Sequence, residues 1–143
     1  MRTINRSALV GYPAAHMFAL INDVESYPAF LPWCTSAAVQ SRTPHEIVAT
    51  LGVKRGALNS RFTTRNQLEQ DRRVHMSLVS GPFKTLEGEW LLTPVDDLGC
   101  RVDLNLKFDF ANRLTAMVME PLFESMAVQL VDAFVVRAKV VVA

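Results

Sequence analysis

Three histidines and two cysteines could act as metal ligands or nucleophiles in this sequence, but their spacing supports neither role. His16, His45 and His75 stand far apart, and no two histidines lie four residues apart. Cys34 and Cys100 lie outside any CxxC pattern, which favours free thiols in a reducing compartment over a zinc site or a disulfide framework. The chain has no GxSxG motif and no glycine-rich phosphate loop. We therefore expect no catalytic residue, no metal ion and no required cofactor.

Basic side chains are the second group of candidates. The 143 residues include 15 Lys and Arg and 14 Asp and Glu, which leaves a net charge of +1. Such a balance gives no overall field that would draw the chain to nucleic acid or to an anionic membrane. A local patch remains open, because strand alternation over residues 57–69 puts Arg61 and Arg65 on an outward face. Glu69 and Glu87 are interspersed among the basic residues, so a solvated sheet face is the simpler interpretation.

The elements that must position these residues begin with strands. Alternation predicts a first strand over residues 2–10 and an antiparallel meander of about six strands over residues 35–110, with a hairpin loop at 96–99. A short helix follows Pro13. Between the helix and the meander, residues 23–34 carry large apolar side chains where a loop would normally be polar. They form either a core plug or the rim of a pocket: Tyr27, Phe30, Leu31 and Trp33.

The last stretch, residues 112–142, contains one Pro and no Gly and predicts a long helix. Asn112 is its expected N-cap, and Pro121 should kink the helix or start a second segment. Its apolar residues cover more than half of the helical wheel, so either the sheet wraps around the helix or a second surface meets its other side. We predict a single domain, residues 1–143, of α+β class with a helix-grip fold, in which a curved antiparallel sheet wraps around the C-terminal helix. The space between them is the expected site, unless Met and Phe side chains fill it.

Six segments spread over the whole chain resemble one known family. They are DVESYPAFLPWC at 23–34, FTTRN at 62–66, GPFK at 81–84, LEGEW at 86–90, FDFAN at 108–112 and AFVVRA at 133–138. The sequence is similar to the coenzyme Q-binding START-domain family, which is polyketide cyclase/dehydrase-like and includes the bacterial ribosome association toxins. The resemblance implies a START / Bet v 1-like fold and two alternative functions.

One implied function is the non-catalytic binding of ubiquinone or a similar polyprenyl lipid, as a quinone chaperone that supports respiration. The ligand would be held in the grip cavity. The resemblance then implies these lining residues: Tyr27, Phe30, Leu31, Trp33, Phe62, Asn66, Met76, Trp90, Leu104, Leu106, Phe108, Met117, Phe123 and Met126.

The alternative function is that of a ribosome association toxin, which binds the large ribosomal subunit and blocks its joining to the small one. Phosphate contacts would then fall to the outward basic residues Lys54, Arg55, Arg61, Arg65, Arg72, Arg73 and Lys84.

A polyketide cyclase-like enzyme is a third possible function. The expected partners are therefore a ubiquinone-like hydrophobic molecule, the large subunit and a transient contact with a membrane, but not DNA. No apolar leader or 18-residue apolar run is present, which predicts a cytoplasmic protein.

Overall fold

A computed structural model describes residues 2–96 and 99–141. Part of the predicted hairpin loop, Asp97 and Leu98, lies outside the described residues, as does Val142 at the end of the predicted helix. The strands are β1 (Arg2–Val10), β2 (Cys34–Arg42), β3 (Glu46–Arg55), β4 (Leu58–Glu69), β5 (Arg73–Ser80), β6 (Phe83–Pro94) and β7 (Cys100–Phe110). The helices are α1 (Ala14–Asn22), α2 (Tyr27–Phe30), α3 (Arg113–Ala127) and α4 (Leu130–Val140), with a 3₁₀ turn over Val24–Ser26.

All seven strands form one antiparallel sheet in the order β1-β7-β6-β5-β4-β3-β2. The strands from β2 to β7 pair with their sequence neighbours, and β1 returns to pair with β7. Period-two alternation gives the sheet its two faces: on β7, Leu104 and Phe108 are fully buried, whereas Lys107 between them is exposed. The predicted meander and its single apolar face are confirmed.

The C-terminal segment covers the apolar face as two helices, not one. Asn112 caps α3 as predicted, because its side-chain oxygen accepts from the backbone nitrogens of Leu114 at 2.9 Å and Thr115 at 3.1 Å. Pro121 lies inside α3 and the second segment begins at Leu130, so of the two predicted alternatives Pro121 does not start a new segment, and a kink there stays a prediction. The break coincides with a tighter turn, in which the Gln129 nitrogen bonds to the Met126 oxygen three residues back.

Helix α1, near the start of the chain, packs against α4, near its end. α1 begins after Pro13, whose carbonyl accepts from the His16 nitrogen at 3.0 Å. His16 is buried, stacks on Tyr12 with ring centroids 5.0 Å apart, and places its Nε2 atom 3.4 Å from the Ala138 carbonyl of α4. These contacts give His16 the structural role that is usual for an isolated, buried histidine.

Candidate functional site

A cavity of about 100 Å³ lies between the inner face of the sheet and the two final helices. β3 contributes Ala49, Leu51 and Val53, and β4 contributes Phe62, Thr64 and Asn66. The other walls are Val24, Tyr27, Leu31, Trp33, Met76, Leu86, Trp90, Leu104, Leu106, Phe123, Met126, Ala127, Leu130 and Phe134. Nearly all of these side chains are apolar, as in most small-molecule sites.

The space is left open because residue size changes across the sheet. At one end, the inward residues of β6 and β7 form an aromatic cluster with α3, which we define as Phe83, Phe108, Phe110 and Phe123. Ring centroids in this cluster are as close as 4.6 Å between Phe83 and Phe110 and 4.8 Å between Phe108 and Phe123. On β3 and β4, Ala49 and Thr64 occupy inward positions of the same kind. Their short side chains fill less space than the rings of the aromatic cluster, which accounts for a void on this side of the sheet.

Thr64 and Asn66 are the polar pair in the cavity wall. The Thr64 hydroxyl donates to the Asn66 side-chain oxygen at 2.9 Å, and both residues are about nine-tenths buried. The Asn66 amide nitrogen has no hydrogen-bond acceptor within the part of the chain that the structure describes. A carboxamide can donate two hydrogen bonds from that nitrogen. The cavity wall therefore offers a free donor that suits a carbonyl oxygen on a bound molecule.

Tyr27 is the titratable group that lines the cavity, and it is held neutral. Its hydroxyl donates to the Ile21 carbonyl, and burial raises the pKa of Tyr27 above its usual range. Its ring packs edge-on against Phe30 and Phe134, at centroid distances of 6.0 and 5.4 Å. The described wall residues include no Asp, Glu, His, Lys, Arg or Cys. Among the described wall residues, Tyr27 is thus the side chain that can titrate, and its raised pKa keeps it protonated at neutral pH.

Of the fourteen residues that the resemblance implies for the lining, most surround this cavity. Those that line it are Tyr27, Leu31, Trp33, Phe62, Asn66, Met76, Trp90, Leu104, Leu106, Phe123 and Met126. Phe108 is fully buried in the aromatic cluster. Phe30 packs on Phe134 at 5.2 Å, with the Arg137 guanidinium 5.1 Å from its ring centroid.

The placement of Met117 in the lining is wrong. Its side chain is 75% exposed. Met117 lies nine positions before the buried Met126, and a step of nine positions leads to the opposite side of an α-helix. Sequence reasoning also missed wall residues. Alternation with Phe62 and Asn66 would have found Thr64, and helical spacing from Phe123 would have found Ala127, Leu130 and Phe134.

The predicted basic residues lie mostly on the other face of the sheet. Some of them are paired with carboxylates and others are not. Arg65 binds Glu46 at 2.9 Å, and Arg73 binds Glu69 at 3.2 Å and Glu89 at 2.8 Å. Arg55 donates to the side chain of Gln129 on the helix side at 3.3 Å. The remaining four are exposed and form no ion pair with the described residues: Lys54, Arg61, Arg72 and Lys84.

Comparison with protein families gives a match over residues 10–135 to the family described as polyketide cyclase / dehydrase and lipid transport. The persistence and stress-resistance toxin PasT of Escherichia coli is 44% identical over 139 residues, and the ribosome association toxin RatA of the same species is 43% identical. Both alignments cover 97% of this chain and 88% of the relative. A mitochondrial coenzyme Q-binding protein of Drosophila melanogaster is 28% identical, over 94% of this chain and 57% of that protein.

Solved structures share the fold. A Streptomyces aromatase/cyclase superposes with a TM-score of 0.83 at 18% identity and covers 96% of this chain and 93% of its own. A START superfamily protein from Mycobacterium smegmatis superposes with a TM-score of 0.79 at 16% identity and covers 96% and 97%. These similarities confirm the predicted helix-grip fold. The relatives carry names of a toxin and of a quinone-binding protein, whereas the neighbours in fold include an enzyme.

Proposed function

This chain belongs to the polyketide cyclase / dehydrase and lipid transport family, and we propose that the protein binds an apolar, carbonyl-bearing molecule in the cavity without transforming it. Ubiquinone or a similar polyprenyl quinone is the ligand class we favour. The observation that carries the proposal is the cavity wall itself, which is largely apolar and includes the Thr64–Asn66 pair with its free amide donor. A relative that bears the name of a coenzyme Q-binding protein supports the same ligand class.

The chemistry of the wall supports a non-catalytic role. Cyclisation and dehydration need a group that accepts or donates a proton near the reacting atoms. The raised pKa of Tyr27 and its bond to the Ile21 carbonyl leave its hydroxyl unsuited to that task. Thr64 and Asn66 do not titrate. The wall can therefore bind and orient a carbonyl, which is the task of a carrier.

The size of the cavity limits how such a ligand is held. Pockets for drug-sized ligands usually enclose about 300–1,000 Å³, whereas this one encloses about 100 Å³. A dry cavity of about 150 Å³ accepts benzene, so the closed form is near the size of a single ring. A polyprenyl tail would require α3 or α4 to move outward. We accordingly expect binding to be accompanied by a displacement of these helices.

The test is an organic extract of the purified protein, analysed by mass spectrometry for quinones, together with a fluorescence titration. Trp33 and Trp90 both line the cavity, so a short-chain ubiquinone should quench their emission saturably. Asn66→Leu should weaken this quenching, while Asn105→Leu on the outer face of β7 serves as the matched control. An extract without quinone and an absence of saturable quenching would contradict the proposal.

Association with the large ribosomal subunit is the second candidate function. It is favoured by a relative that is 43% identical over 97% of this chain and bears the name of a ribosome association toxin. The unpaired cations Lys54 and Arg61 on β3 and β4 are the residues we propose for phosphate contacts, because Arg65 and Arg73 are already engaged by carboxylates. Such a function would require a cytoplasmic location.

Sedimentation with purified ribosomal subunits at low and high salt tests this second function. Binding through phosphates should weaken as salt rises. Arg61→Glu should reduce binding more than Arg65→Glu, because the guanidinium of Arg65 in the wild type is already paired with Glu46. Arg6→Glu, which makes the same charge change on the opposite edge strand β1, is the control. If the wild-type protein fails to sediment with the large subunit at low salt, the ribosomal role is excluded.

A further inference from the structure

Helix α3 has a second apolar face that the fold does not use. Leu114, Met117 and Val118 are 77, 75 and 52% exposed, and the exposed Pro121 continues their row. Their spacing of i, i+3, i+4 and i+7 puts all four on one side of a helix. We call these four residues the outer stripe. They are clustered, whereas isolated exposed apolar residues are common on any protein and need no explanation.

The inner face of the same helix already serves the core. Phe123, Met126 and Ala127 are buried against the sheet, so α3 needs no further apolar residues to stay in place. The helical segment from Arg113 to Val140 is long and apolar enough to cross a membrane, and Leu114, Met117 and Val118 are among its exposed residues. The excess of apolar surface therefore points away from the protein.

The charges beside the outer stripe are predominantly positive. Glu120 and Glu124 of α3 both bind Arg2 of β1, and this ion-pair network leaves a net charge of −1 from its three side chains. Arg113 is exposed at the start of the helix, and it adjoins the turn that precedes Lys84 of β6, because the Pro82 carbonyl accepts from the Ala111 nitrogen at 3.0 Å.

The β3–β4 hairpin adds positive charge on the other flank of α3. Gly56 at its tip packs against Leu122, and Arg55 reaches Gln129 at 3.3 Å. Neither Arg55 nor the neighbouring Lys54 is paired with a carboxylate among the described residues. The outer stripe is thus an apolar row with Arg113 at the start of its helix and Arg55 near the other end.

We propose that the outer stripe docks the protein on an anionic phospholipid bilayer, with α3 lying in the plane of the interface. Apolar side chains of an interfacial helix enter the boundary between headgroups and acyl chains, and flanking Lys and Arg residues bind anionic headgroups. The charged side chains Arg113, Glu120 and Glu124, together with the break at residues 128–129, favour an interfacial helix over a spanning one.

A second copy of the chain fits this surface less well. A stable dimer buries about 800 Å² on each partner and uses about 20–30 residues from each. The outer stripe offers four side chains on one convex helix, which is far too small for that. A bilayer requires neither a large area nor a complementary shape. The docking surface does not depend on whether the cavity holds a ligand.

The experiment is co-sedimentation of the full chain with vesicles of phosphatidylcholine alone or with one quarter phosphatidylglycerol. We expect the wild type to bind the anionic vesicles more tightly, with binding that weakens as salt rises. Met117→Glu should lower the partition coefficient by about tenfold or more, because it puts a carboxylate into the contact. Leu9→Glu is the matched control, since Leu9 on β1 is also 75% exposed but lies outside the stripe.

Several outcomes would overturn the proposal: no binding by the wild type, equal binding to both vesicle types, or unchanged binding by Met117→Glu. Sedimentation equilibrium separates the remaining alternative, since a dimer that Met117→Glu dissociates, without vesicle binding, would assign the stripe to a second copy. The melting temperature of each variant checks that it folds. Quenching of Trp33 and Trp90 by a short-chain quinone should be unchanged in Met117→Glu, which separates the docking surface from the cavity.

Discussion

The aromatic cluster and the cavity occupy the same inner sheet face, yet one is packed and the other is open. Both are built from alternate residues of long, regular strands. Both are also covered by α3, since Phe123 of α3 belongs to the cluster and lines the cavity as well. What differs is side-chain size: Phe83, Phe108 and Phe110 fill one region, whereas Ala49 and Thr64 leave the other unfilled. A ligand site can thus arise from residue size alone, on an otherwise regular backbone.

The comparison also separates the energetic roles of the two regions. Aromatic pairs in edge-to-face contact contribute about 0.5–1.5 kcal/mol each beyond their buried area, and the cluster contains several such pairs. A void forfeits the dispersion contacts of the atoms that line it. We therefore expect a side chain in the cluster to contribute more to the free energy of unfolding than a side chain of similar size at the cavity. Substitutions that have unequal effects in the two regions test this expectation.

The largest expected effect is that of Phe108→Ala in the cluster. Removing a fully buried ring from among Phe83, Phe110 and Phe123 should lower the free energy of unfolding by about 3–5 kcal/mol. Met76→Ala, at the half-buried edge of the cavity, should cost less than about 2 kcal/mol, because the site is already loosely packed. Urea denaturation of both variants measures the difference. Equal losses would mean that the cavity is packed as tightly as the cluster.

A second comparison makes the same change at two buried alanines. Ala49→Leu adds volume at the cavity wall and should leave the free energy of unfolding within about 1 kcal/mol of wild type. Ala138→Leu adds the same volume to packed α4, outside the cavity lining, and should cost about 1–3 kcal/mol by overpacking. Thermal melts of the two variants suffice. A severe loss for Ala49→Leu would show that the space does not accept added atoms.

Raising the pH tests the enclosure of Tyr27 at the cavity. Because burial raises the pKa of Tyr27 above its ordinary value of 10.0, the folded chain keeps a proton that the unfolded chain loses. The free energy of unfolding should therefore fall above about pH 10, by about 1.4 kcal/mol per pH unit. Burial raises the pKa of Cys34 and of Cys100 above 9.0, which adds a loss of the same sign from about pH 9.

Tyr27→Phe is the control for that measurement. It removes the phenol and should leave only the shallower slope that belongs to the two thiols. Urea denaturation at a series of pH values between 8 and 11 gives both slopes. An unchanged slope in Tyr27→Phe would mean that the hydroxyl is open to solvent.

The smallest expected difference in stability between two compared variants is at the polar pair. Asn66→Leu removes the acceptor of the Thr64 hydroxyl and should cost about 1 kcal/mol, since the new side chain is apolar like its surroundings. Thr64→Val removes the donor instead and should cost a similar amount. The two variants should differ in quinone binding, because only Asn66→Leu removes the free amide donor. Equal quenching in both would show that the amide does not contact the ligand.

Much of this fold could be predicted from the sequence, because the strands alternate regularly. The limits of β1 and the inward set on β7 were predicted from that periodicity, and the Asn112 cap from its type and place before an apolar run. Most of the implied cavity lining came from the resemblance, whose motifs lie on inward strand positions. Strand residues that the resemblance did not imply, such as Ala49 and Leu51 on β3, were nevertheless missed.

The errors lie where three-dimensional placement matters more than local pattern. The sequence carries no signal for the break at residues 128–129, since Val128 and Gln129 are ordinary helix residues. Met117 was assigned inward because α3 carries apolar residues on two opposite sides, and the sequence does not show which of these sides meets the sheet. The ion pairs Arg65–Glu46 and Arg73–Glu89 each join two neighbouring strands. Which of the basic residues are neutralised by a carboxylate therefore depends on strand register, which the sequence does not give.

The pairing of β1 with β7 has a consequence for how the chain is made. The first strand joins the sheet only through residues 100–110, so about a hundred residues of synthesis separate β1 from its partner. Contacts so distant in sequence slow folding, and mainly antiparallel domains of this kind fold in about milliseconds to seconds. On a translating ribosome, β1 therefore stays without its strand partner until β7 has emerged. The last ion pairs to form would join Arg2 to Glu120 and Glu124, which fastens the start of the chain to its final helical segment.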